Sequence, residues 1–146
     1  MEIEIKTDSN YKEPKISIYT NNVNDPEISN LINIIKDFFS YSLKGYIDNQ
    51  LYILEQNNIE SIYTENKRIY ARQDNVSYEI KNRLYELENL LNRNFVRISN
   101  SEIINFKKVK KLDFKISGTI LVYFISGNIS YVSRRYIKKI KEYLEV

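Results

Sequence analysis

The sequence predicts a mainly β domain with a few short helices, preceded by a small α+β extension of strand, strand and helix. Three observations carry this reading. Beyond Gly45, short apolar runs alternate with period two between turns built from Asn, Asp and Gly. Helical spacing of apolar residues occurs in only three stretches. With 146 residues the chain has room for one good core, and a second complete domain of ordinary size would be hard to fit. The pattern changes near residues 44–50, so the extension is assigned to residues 1–44 and the β domain to residues 45–146.

Taken in order, Glu2 to Lys6 and Lys15 to Thr20 alternate as half-buried strands do, and Pro14 just precedes the second. Asp25-Pro26-Glu27 supplies an N-cap, a proline at the first helical position and an early acid. The helix that follows carries Ile28, Leu31, Ile32, Ile35, Phe38 and Phe39 on one face and ends before Gly45. Such a stripe suits an element that covers a small sheet. Strands are then expected over Leu51 to Glu55, Ile59 to Asn66, Arg68 to Gln73 and Val76 to Ile80, with turns at Asn57-Asn58 and Asp74-Asn75. Leu84, Leu87, Leu90 and Leu91 mark a short helix. Strands resume at Phe95 to Ile98, Val109 to Ile116 and Thr119 to Ile125, and the last turns through Gly127-Asn128 into Ile129 to Val132. A final helix is expected from Ser133, capped by its hydroxyl, with Ile137, Ile140 and Leu144 inward and Arg134, Arg135, Lys138, Lys139 and Lys141 on or near the open side.

Composition narrows the chemistry. The chain has neither Cys nor His, which removes disulfides, thiolate and Ser-His-Asp catalysis, and ordinary zinc sites. The expectation is therefore no enzyme, no cofactor and no metal. Glu55, Glu60, Glu65 and Asp74 form the one carboxylate set that suggests a cation, but on alternating strand positions they read as solvent-facing charges. No apolar run approaches the roughly 20 residues of a spanning helix. The first residues lack a secretory pattern, so a cytoplasmic protein is expected. The net charge of +3 conceals an asymmetry: residues 1–58 hold 5 Lys/Arg against 9 Asp/Glu, and residues 59–146 hold 17 against 10. A basic surface belongs to the second part, compatible with nucleic acid or an anionic membrane face.

Three segments offer recognition chemistry. Asn66-Lys67-Arg68 lies where one strand turns into the next, so long basic side chains leave the sheet together; a solvated hairpin tip is the plainer reading. Ser99-Asn100-Ser101 is a polar loop between the apolar clusters Phe95/Val96/Ile98 and Ile103/Ile104, followed by Phe106-Lys-Lys-Val-Lys-Lys111. Asn100 offers a donor and an acceptor to a base edge and the serines suit phosphates, whereas Asn105 is better read as capping its own backbone. In Tyr131-Val-Ser-Arg-Arg-Tyr136, a helix start and adjacent arginines suit phosphate or guanine.

Together and in this order, these segments resemble the LytTR (LytR/AlgR-type) DNA-binding family. The resemblance runs from Ile59-Glu-Ser-Ile-Tyr-Thr-Glu-Asn66 through the helix at 84–91 to Phe95-Val-Arg-Ile-Ser-Asn-Ser-Glu-Ile-Ile-Asn105 and Val132-Ser-Arg-Arg-Tyr136. Its most specific part is Phe-x-Arg-x-x-x-Ser-x-x-x-Asn with Val-Ser-Arg-Arg-Tyr downstream. The resemblance implies an elongated antiparallel β-β-β sandwich whose loops, not a recognition helix, enter successive major grooves. It puts base contacts on Lys67, Asn100 and Arg135; Lys67 stands where several relatives have His, so that contact could fall on Asn66 or Arg68 instead. Asn66, Arg68, Ser101, Lys107, Lys108 and Arg134 are then supporting or phosphate contacts. About 45 residues precede the resemblance, too few for a receiver domain, so a short stand-alone regulator is implied. Implied partners are double-stranded promoter DNA with tandem repeats, a second copy of the chain at least on DNA, and a small integral membrane protein as regulator. The alternative is a protein-interaction module that binds a membrane-protein antagonist with weak or no DNA binding.

Overall fold

The computed structural model describes residues 2–11, 15–38 and 41–146, excepting the side chains of residues 37 and 38. The expected antiparallel, mainly β architecture is what is found. The two N-terminal strands are not. Residues 2–11 and 15–20 form no ladder, and Ile3 and Ile5 are more than four-fifths exposed. Alternation favours a strand only where a neighbouring strand and a core face accept it, and these segments have neither. Pro14 and Phe39 lie outside the described residues, as does the Phe38 side chain.

Helix α1 (Pro26–Phe38) starts as its sequence dictates. The Asp25 carboxylate accepts from the Glu27 N–H at 2.9 Å, and the Asp25 carbonyl accepts from Ser29 at 3.0 Å. The sheet then begins earlier than the sequence suggested. β1 (Leu43–Ile47) contains Gly45, which the apolar pattern marks as punctuation. A Cβ there would come within 2.7 Å of both Leu54 Cδ1 and Tyr78 Cβ, so this strand needs glycine for its neighbours to close.

The remaining strands are β2 (Gln50–Leu54), β3 (Ser61–Glu65), β4 (Arg68–Gln73), β5 (Val76–Ile80), β6 (Phe95–Ser99), β7 (Glu102–Asn105), β8 (Val109–Phe114), β9 (Ile120–Phe124) and β10 (Ile129–Val132). They pair into a seven-stranded sheet ordered β2-β1-β5-β4-β3-β7-β6 and a three-stranded sheet ordered β10-β9-β8. Strand β7 has no alternation to reveal it, because Ile103 and Ile104 are both buried, one on each face. Ile103 joins Leu43, Leu54, Ile62, Ala71 and Ile80 in a core covered by α2 (Leu84–Leu90) through Leu84 and Leu87. Ile104 joins Val96 and Ile98 in a second core, closed by Ile120, Val122 and Phe124 of the small sheet and by Ile140 of α3 (Ile137–Leu144).

Two further expectations change. The last helix begins with a 3-10 turn at Arg134–Tyr136, and the Ser133 hydroxyl makes no capping bond. Glu60 is not solvent-facing. It is buried, accepts from the Ser126 hydroxyl and from Asn128 Nδ2, and faces Arg72 Nη1 at 3.6 Å. Among the described residues no helix is long and apolar enough to cross a membrane.

Candidate nucleic-acid interface

Strand direction decides which turns share an end of the large sheet. β3 runs into a two-residue turn, Asn66-Lys67, since Glu65 pairs directly with Arg68. Both turn residues have positive φ, 49° and 64°, the tight-turn geometry that follows the twist of a hairpin and that Asn tolerates well. Lys67 is exposed at the tip. Arg68 follows it and spends part of its charge on Glu79 at 3.2 Å.

The second turn, Asn100-Ser101, joins β6 to β7 with Ser99 opposite Glu102. It lies beside the first, because the Thr64 N–H donates to the Ser101 carbonyl at 2.8 Å. Arg97, half-buried, grips this turn from behind. Its Nε donates to the Ser99 carbonyl at 3.0 Å and its Nη2 to the Asn100 carbonyl at 2.7 Å, while Nη1 meets Glu88 of α2 at 3.1 Å. The hydroxyls of Ser99 and Ser101 pair at 3.2 Å, so Ser101 faces outward already tied to its neighbour.

The third segment reaches the same end by way of β6. The Ser133 N–H donates to the Ile98 carbonyl at 2.9 Å, setting the Arg134–Tyr136 turn beside the end of β6. The Tyr136 hydroxyl then donates to Asn100 Oδ1 at 3.0 Å. Arg134 and Arg135 are exposed on that turn. Glu88 also receives Lys139 of α3 at 3.6 Å, so α2, β6 and α3 are joined behind the site. Just below the surface, Glu102 accepts from the Ser130 hydroxyl at 2.9 Å, and burial pushes its carboxyl above the usual carboxylate range against the lowering pull of Ser130 and Arg72.

Asn66, Lys67, Arg68, Asn100, Ser101, Arg134 and Arg135 are therefore gathered at one end. Lys107 and Lys108 are not. They sit in the 3-10 turn Phe106–Lys108 that follows β7, one strand length of about 13 Å from the Asn100 turn. Asn105 caps that turn as expected: its Oδ1 accepts from the Lys107 N–H at 3.0 Å and its Nδ2 donates to the Ile59 carbonyl at 2.9 Å. Arg97 and Tyr136 lie within the Phe95–Asn105 and Val132–Tyr136 motifs, yet neither is among the residues the sequence marks for DNA contact. Both act behind the exposed residues, and their residue types alone do not reveal that placement.

The family model for the LytTr DNA-binding domain matches residues 49–145. Over 147 aligned positions the chain is 35% identical to an uncharacterized HTH-type transcriptional regulator of Staphylococcus aureus strain NCTC 8325 / PS 47, covering 100% of this chain and 99% of that one. A regulator of the same description from the bovine strain RF122 / ET3-1 gives the same identity and coverage. "HTH-type" is the relatives' label; here strands separate α1, α2 and α3 from one another. A solved LytTr DNA-binding domain from Bacillus cereus superposes with a TM-score of 0.69 over 72% of this chain and 97% of its own, at 20% identity.

Proposed function

This chain belongs to the LytTR DNA-binding domain family, and from that premise we propose that it is a transcription regulator reading double-stranded DNA through the sheet end that carries Lys67, Asn100 and Arg135. The observation that carries the reading is the convergence of three segments far apart in sequence, tied by the Thr64–Ser101, Ser133–Ile98 and Tyr136–Asn100 hydrogen bonds. Neighbouring strands lie about 4.8 Å apart, so the two hairpin tips stand roughly 10 Å apart across the end, and the arginine turn beyond β6 widens the span. Loops, not a helix, enter the major groove, and the two copies on tandem repeats carry the contacts to successive turns of the duplex, about 34 Å apart. Lys67, Asn100 and Arg135 contact bases, while Asn66, Arg68, Ser101 and Arg134 hold phosphates. The excess of Lys and Arg after residue 58 supplies the salt-sensitive part of affinity. Binding occurs as a homodimer on tandem repeats, in the cytoplasm, without catalysis.

The second reading, contact with a membrane-protein regulator, attaches to residues 1–44. Among the described residues neither core includes one of α1, so the stripe of Ile28, Leu31, Ile32 and Ile35 is the segment proposed for a partner or for dimer contact. Protein that binds no genomic fragment at low salt yet co-purifies with a membrane protein would favour this reading over the first.

The decisive test is a gel shift on the chain's own promoter. Arg135→Ala should weaken specific binding by about 1–3 kcal/mol and relax one base position. Unchanged affinity and selectivity would remove Arg135 from the reading surface.

A further inference from the structure

The Asn100 side chain is exposed, but one of its two polar atoms is already engaged. Its Oδ1 accepts from the Tyr136 hydroxyl at 3.0 Å, and its backbone is held by the two Arg97 bonds to the Ser99 and Asn100 carbonyls. Its Nδ2 makes no hydrogen bond among the described residues and lies on the side of the amide away from Oδ1. Turning the amide over would leave the Tyr136 hydroxyl, on a half-buried residue, without the acceptor it now has. Backbone and side chain are thus both fixed before any ligand arrives.

An asparagine that reads adenine with two bonds must use both atoms, accepting from N6 and donating to N7. Here Tyr136 occupies one lone pair of the acceptor, and the NH2 group of this exposed side chain is the one left without a partner among the described residues. Building on the proposed role of Asn100 as a base reader, we propose that Tyr136 is a positioning residue that fixes the Asn100 amide as a donor, so that the β6–β7 turn selects a base edge rich in acceptors. Guanine, with N7 and O6 adjacent in the major groove, fits best; adenine offers one acceptor beside a donor that would face the outward NH2. Tyr136 also ties this choice to the arginine turn, since Arg135 is its neighbour in the chain. The two readers are set in a fixed relation by one phenol.

The test is selection from a duplex DNA pool with a randomised core, followed by sequencing, for the full chain and for the variants Asn100→Ala and Tyr136→Phe. The phenylalanine keeps the ring and removes only the hydroxyl. Wild-type chain should enrich a motif in which one position, erased by Asn100→Ala, is guanine. Tyr136→Phe should lower the preference for guanine over adenine at that position alone, by about three- to tenfold, and leave the Arg135-dependent position unchanged. The inference is overturned if Tyr136→Phe keeps the guanine preference, if it weakens every position alike, if the Asn100-dependent position is adenine in the wild type, or if Asn100→Ala alters no position. Failure of the wild type to enrich any motif is a separate result: it removes sequence reading by this surface, and the inference goes with it.

Discussion

The large sheet closes in tight turns at both ends, and the ends dispose of their polar groups in opposite ways. Around Asn105 many of the polar groups bond one another, although the buried Ser61 Oγ and Gln73 Oε1 at that end find no partner among the described residues. Asn128 Nδ2 bonds Glu60 and Asn75 Oδ1, Gln56 Oε1 takes the Asn92 N–H at 2.8 Å, and Asn105 bridges two segments. Around Asn100 the bonds from Arg97 and Tyr136 run behind the turns, and the exposed Lys67, Arg134 and Arg135 make no ion pair among the described residues. The same repertoire of amides and charges gives a structural knot at one end and a presenting surface at the other. What differs is where the bonds run: between loops and across the two sheets at one end, behind exposed cations at the other.

Substitutions should therefore divide into those that move stability and those that move binding. Asn105→Ala strands the Ile59 carbonyl and the Lys107 N–H, and we expect a loss of about 3 kcal/mol in urea unfolding, with DNA affinity of the folded protein retained. Arg97→Ala should act mainly on the other side: about 1–2 kcal/mol weaker specific binding in a titration, because the Asn100 turn loses its grip, with a smaller fall in stability. Equal losses in both measurements would erase the distinction between the ends.

Glu102 sharpens the comparison through pH. A carboxyl whose folded value is raised stabilises the fold below its ordinary value near 4.5, and that advantage is lost as pH climbs through the raised value. Glu102→Gln should accordingly melt higher than wild type at neutral pH, with the gap closing as pH falls to the ordinary value. Smallest should be Lys107→Ala and Lys108→Ala, at the knotted end. Their salt dependence of binding should match wild type, whereas Arg134→Ala should reduce the slope by about 1. A full unit lost at Lys107 would extend the interface along β7.

Much of this was legible beforehand for identifiable reasons. The Asn66-Lys67 and Asp74-Asn75 turns announce themselves because short polar residues accept positive φ, and both pairs adopt it. The polar loop at Asn100 stood out between apolar clusters. Strand β7 does not, being buried on both faces, and without it the sequence does not show that Lys107 and Lys108, expected as supporting or phosphate contacts, follow at the opposite end of the strand from Asn100. The Tyr136–Asn100 contact spans 36 positions and depends on β6 passing beside residue 133, which no local pattern encodes. The burial of Glu60 is not legible because its partners, Ser126 and Asn128, lie far along the chain in the turn between β9 and β10.

β6 and β7 serve both cores at once: Phe95 and Ile103 face one, Val96 and Ile104 the other. Neither half of the interior can melt while these strands stay put, so the β domain should lose its structure in a single cooperative step, with ring environments on the two sides reporting the same midpoint. A shift of one residue along β7 would put one isoleucine in the other's place and carry a polar neighbour into an apolar interior, Glu102 into the first for a slip one way and Asn105 into the second for a slip the other way. The strand that leads away from the Asn100 turn is thereby protected against slippage in either direction, and the spacing between the presenting and knotted ends is set as firmly as the interior itself.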